Sequence, residues 1–99
     1  MTRPATNYVG AVLDRLADHP ATGDLDGDLL QLYALLALVK GRETTLRDVH
    51  DAWAIWRNRT APEHRSLIPF ADLTAAVQEL DRPYMEAIRW AADARAEVS

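Results

Sequence analysis

Apolar positions along the chain recur at three- and four-residue spacing and nowhere alternate for a useful length, a pattern that predicts helices and no sheet. Tyr8, Val9, Val12, Leu13 and Leu16 form the first stripe, with Thr6 placed to cap it and His19-Pro20 to end it. Beyond the linker ATGDLDGD, the segment DLLQLYALLALVK is apolar on nearly every side. This second helix is therefore expected at the centre, with the others packed around it. Lys40 suits its negative end, and Gly41 suits the left-handed conformation that closes a helix. Thr45 and Asp48 make a variant capping box for a third helix, on which Leu46, Val49, His50, Trp53 and Trp56 share one face.

The pattern breaks between Thr60 and Phe70. TAPEHRS has loop composition, and Pro69, which fixes φ and lacks an amide hydrogen, is suited to open a helical turn through Phe70, Ala71, Asp72 and Leu73. Thr74 restarts helix through Ala76, Val77 and Leu80. Asp81 as N-cap and Pro83 in the first turn then begin a last helix, whose apolar face is Tyr84, Met85, Ile88, Ala91 and Ala92. The expectation is an all-α, compact single domain over residues 1–99, with N-terminal helices in 1–44 and a second segment in 45–99. It should hold about five helices.

With 99 residues, 48% hydrophobic and 26% charged, the chain can bury one core. A net charge of −4 argues against general attraction to nucleic acid or an anionic membrane. Residues 40–65 run against that average, with six basic side chains and four acidic ones, and would draw an anion. The absence of cysteine excludes disulfides, a thiolate nucleophile and cysteine zinc sites. With neither a signal-peptide pattern nor an apolar run of membrane length, a cytoplasmic protein is expected.

Catalysis finds little support in the side chains. His19, His50 and His64 include no pair at metal-ligand spacing, so no metal or cofactor is expected. His50 and Asp51 are adjacent and would point about 100° apart on a helix. Ser66 sits in a loop without a nucleophile-elbow motif, and no glycine-rich phosphate loop is present. Asp24, Asp26 and Asp28 suggest a calcium loop, but Leu29 stands where that loop needs glycine and Leu35 where it needs a bidentate glutamate. They serve better as acids at a helix N-terminus. A DNA-reading third helix would offer Arg57 and Arg59 to phosphates, yet Asp48 and Asp51 would face the polyanion. Trp53 and Trp56 read either as core or as the wall of a pocket for a flat anion.

From Asp48 to Ala92 the order of features resembles the ryanodine-receptor (RyR) repeat domain. HDAW at His50–Trp53 is followed by His64, LIPF at Leu67–Phe70, Leu73, QELDR at Gln78–Arg82 and Ile88. The chain is also similar to a small family of actinobacteria and their phages. Two positions depart from the repeat: the loop RNRTAPE lacks the usual second aromatic, and Arg65 stands where proline usually follows the histidine. The resemblance implies an RyR-repeat-like all-α fold and binding of an adenine-containing nucleotide signal, ADP-ribose-like or cyclic. Bacterial members occur beside nucleotide-signalling antiviral systems, and the family often occurs as tandem repeats, which implies a homodimer for a single copy. By matched position, Trp53 stacks the base, His64 hydrogen-bonds it, and Asp81 or Arg82 supplies a polar edge. Charge and helical facing add His50, Trp56, Arg57, Arg59, Arg65 and Tyr84 to the ligand-binding set. With no second domain to carry an output, the chain is expected to sequester a signal, as a phage antagonist of host immunity would, or to act as a sensor subunit. The alternative is a protein-interaction or DNA-binding regulatory module with no small-molecule ligand.

Overall fold

The second helix organises the fold. In the computed structural model, which describes residues 7–94, α1 (Tyr8–Asp18), α3 (Leu46–Asn58) and α5 (Arg82–Ala92) pack around α2 (Gly27–Val39). A short α4 (Ala75–Glu79) and two 3-10 turns, Gly41–Glu43 and Phe70–Asp72, complete the helical structure. No strand occurs among the described residues, so the all-α, single-core reading is correct. The core holds Val12 and Leu16 from α1, Leu29 and Tyr33 from α2, Val49 from α3, and Met85 and Ile88 from α5. Ala34, Ala37, Ala87 and Ala91 are also buried, and their small side chains let the helices approach closely.

Most helix ends carry the chemistry expected of them. The Asn7 side chain accepts the Gly10 N–H and caps α1; Thr6, expected in that role, lies outside the described residues. At the other end of α1, the fully buried Thr22 donates its hydroxyl to the Leu16 carbonyl. That turn folds back so tightly that a Cβ on Gly23 would lie 2.8 Å from the Ala17 carbonyl oxygen, which explains the glycine. Asp26 caps α2, and Gly41 follows it with φ +59°, in the left-handed region as expected. Thr45 and Asp48 exchange both capping-box bonds, at 2.9 and 3.2 Å. Pro69 opens the Phe70–Asp72 turn, Thr74 caps α4, and Pro83 lies in the first turn of α5.

Two expectations need correction. Asp81 occupies the cap position of α5, but its side chain makes no capping bond because the backbone there is already helical. Nor is α2 enclosed on all sides. Leu35 is 54% and Val39 67% exposed, because no element among the described residues covers this side of α2. No helix among the described residues is long and apolar enough to cross a membrane.

Candidate functional site

The histidine, tryptophans and arginines of α3 are held mainly by the protein itself. His50 is only 3% exposed and donates its Nε2 proton to the Ile68 carbonyl, 2.7 Å away. Its ring lies 5.7 Å from Trp53 at an interplanar angle of 29°, while His64 meets Trp53 edge-on at 5.2 Å. Trp53 is thus half-buried in contact with two imidazoles. His64 is fixed in turn by the Ser66 N–H, which donates to its Nδ1 at 3.0 Å.

One turn further on, Trp56 donates its indole N–H to Asp26 at 3.3 Å. The Arg57 guanidinium lies 4.7 Å over the Trp56 ring, and the buried Arg57 Nε has no hydrogen-bond partner. Arg59 pairs with Asp28 at 3.0 Å. Asp26 and Asp28 begin α2, so these residues clamp the C-terminal half of α3 to the N-terminal end of α2. The acidic linker and the basic end of α3, separate features in sequence, are partners in space.

The remaining candidates lie elsewhere. Tyr84 packs at 6.1 Å against the buried Tyr33. Asp81 is half-buried nearby, and loss of water raises its carboxyl above the usual carboxylate range, with the His50 charge opposing that rise. Burial also pushes the Tyr33 hydroxyl well up, and Asp81 and Tyr84 add to the effect. Arg82 grips Glu79 with two bonds, at 2.6 and 3.0 Å, which hold the Glu79 carboxyl below its ordinary value. Arg65 is exposed in the loop.

Two clefts flank the segment Leu67–Phe70. One, of 370 Å³, is formed by His50, Asp51, Ala54 and Asn58 of α3 with Leu67, Ile68 and Pro69. The other, of 510 Å³, lies between the start of α3, the Phe70 turn and α5. Leu46, Phe70 and Met85 give it an apolar lining, and Arg47, Arg82 and Arg89 bring three guanidinium groups to it. Arg47 lies 5.7 Å over the Phe70 ring. Arg89 is anchored through its Nε to the Thr44 carbonyl at 2.8 Å, an uncharged partner that leaves its charge in place. Among the described residues, neither Arg47 nor Arg89 makes an ion pair. Gln78 steadies the Phe70 turn by donating its amide to the carbonyls of Phe70, at 2.9 Å, and Leu73, at 3.3 Å.

This second groove has what a flat anion needs: a ring to lie against, apolar contacts, and fixed positive charge at the rim. Of the sequence candidates it includes Arg82 only, whereas the first cleft includes His50 only. Arg47, Phe70 and Arg89 line this groove and were not among the sequence candidates. Arg47 and Arg89 lie on different helices, and no spacing rule connects them; the LIPF motif was the one available pointer to Phe70. Among the described residues, no group of three or more His, Asp and Glu is disposed to hold a metal ion.

Residues 5–93 match the family described as "Domain of unknown function (DUF7701)". No curated protein and no solved structure matches the chain.

Proposed function

The chain belongs to the DUF7701 family, and from that premise we propose that it is a non-catalytic binding domain for an anionic ligand with a flat ring, of the adenine-nucleotide class. The observation that carries this reading is the convergence of Arg47, Arg82 and Arg89 on an open groove with Phe70 in its lining. A groove of 510 Å³ falls within the size range of small-molecule sites. Arg47 and Arg89 would meet phosphate or pyrophosphate oxygens, each charge-assisted bond worth about 1.5–3 kcal/mol. Phe70, Leu46 and Met85 would take the ring. Arg82 is partly neutralised by Glu79, and its role is to close the rim.

Here the ligand is placed in the groove beside Phe70, while Trp53 and Trp56 support the fold. The similarity to RyR repeats belongs to the same proposal, as do a cytoplasmic setting, a homodimer and a role as a phage sequestering protein or sensor subunit in antiviral signalling.

A thermal-shift series with ATP, ADP-ribose, NAD and a cyclic dinucleotide tests the reading. Ligand at a hundred times its dissociation constant adds about 2.7 kcal/mol of stability. Adenosine alone and inorganic phosphate alone should each bind far more weakly than the nucleotide. Arg47→Ala should remove the shift while leaving the melting temperature of the free protein nearly unchanged. A flat series, or an unaltered response in Arg47→Ala, would overturn the proposal.

A further inference from the structure

The arginine groove also holds a polar group whose orientation the backbone fixes. Gln78 lines it together with Phe70 and Arg82. The side-chain nitrogen of glutamine carries two hydrogens, and here it has two acceptors, the Phe70 carbonyl at 2.9 Å and the Leu73 carbonyl at 3.3 Å. Turning the amide over would set its oxygen against both carbonyl oxygens, so nitrogen and oxygen cannot exchange places. The amide is therefore a donor toward the protein and an acceptor toward anything else. No group among the described residues donates to Gln78 Oε1. Nor is that oxygen one of the buried side-chain atoms left without a partner, among which Arg57 Nε stands, so it reaches solvent. An acceptor aimed before a ligand arrives loses little freedom when it is used.

The position of Gln78 along the groove sets what it meets. Arg82 and Arg89 lie on α5 about two turns apart, roughly 10 Å, so the groove has two ends. Arg89 is bonded to the Thr44 carbonyl just before α3, whereas Arg82 is bonded to Glu79, the neighbour of Gln78 in α4. The Gln78 amide is also tied to the backbone of Phe70, whose ring lines the groove. Guanidinium groups recognise the phosphates of any nucleotide, and an aromatic ring takes the face of any base. Neither tells one base from another; a fixed acceptor does. We infer that Gln78 reads the edge of the ligand's ring, with Oε1 accepting a hydrogen from an exocyclic amino group such as that of a 6-aminopurine, while the phosphates run toward Arg89. The inference rests on the ligand site proposed above and adds base selection to it.

Calorimetric titration of the full chain with ATP and with purine riboside 5′-triphosphate, which differs only in lacking the amino group, tests this. ATP should bind roughly fivefold to tenfold more tightly. Gln78→Met, similar in length but without the acceptor, should bring the two affinities together. The variant should keep the circular-dichroism spectrum of the parent, because α4 contributes no buried residue to the core. If Gln78 served only to steady the Phe70 turn, the substitution would lower both affinities by one factor and leave their ratio at the parent value. Equal affinities in the parent, or a ratio unchanged in Gln78→Met, would overturn the inference and leave the groove in place. No binding of either nucleotide, or binding that Arg47→Ala leaves unaltered, would overturn the reading of the groove itself and this inference with it.

Discussion

The two ends of α3 bring arginine to an aromatic ring in opposite ways. At the C-terminal end, Arg57 covers Trp56, the indole N–H is bonded to Asp26, and Arg59 is matched by Asp28. At the N-terminal end, Arg47 covers Phe70, but no carboxylate among the described residues answers it, and Arg89 across the groove is held by a carbonyl. The same pair of residue types serves cohesion in the first region and leaves positive charge unmatched by the described carboxylates in the second. What separates them is the nearest acid: Asp26 caps α2 and Asp28 lies in its first turn, whereas Glu79, beside the groove, is already bound to Arg82.

Trp53→Ala is the substitution most able to break this comparison. If the tryptophan end supports the fold, the loss of a ring packed against His50 and His64 should cost about 3 kcal/mol in chemical denaturation. An unchanged midpoint would make that end a free wall and return it to the list of ligand sites. Next in size, Arg89→Met should lower nucleotide affinity at least roughly tenfold by calorimetry, from loss of one charge-assisted contact. It should also lower stability, because Thr44 is buried and its carbonyl loses a donor. Trp56→Phe, which keeps a ring but removes the donor to Asp26, should cost about 1 kcal/mol and leave nucleotide affinity unchanged.

The smallest effect concerns Asp81, which lies between the two regions. Its folded pKa is raised by burial, so folding favours the protonated carboxyl. Its contribution therefore improves as pH falls through the raised value, and the gain is complete below the ordinary aspartate value. Asp81→Asn should accordingly raise the melting temperature by a few degrees near neutral pH, with the advantage over the parent disappearing in acid. No capping bond is lost in that substitution. A constant difference across the pH range would mean that the carboxylate is not strained by burial.

The helix ends were legible in the sequence because their causes are local. Thr45 with Asp48, Gly41, Pro69 and Thr74 each act within a few residues of the break they mark, and each stands where its chemistry required. The asymmetry of α2 was not legible: a helix apolar on every side does not say which side lacks a neighbour, and Leu35 looks no different from Leu29. The two tryptophans were correctly read as sharing a face, but their half-burial depends on His64 and Asp26, which reach them from distant parts of the chain. The arginine groove was hidden for the same reason, since three elements must assemble before Arg47, Phe70 and Arg89 meet.

Ile68 and Phe70 flank a proline whose φ is fixed, and each belongs to a different cleft. His50 holds the carbonyl of one and Gln78 the carbonyl of the other. This strip is therefore a shared partition with a protein-side reporter on each surface. A displacement of Phe70 that carried Pro69 with it would move the Ile68 carbonyl and the imidazole that grips it. If that displacement alters the first cleft, thermodynamic reciprocity requires that an occupant there change affinity in the arginine groove by the same factor.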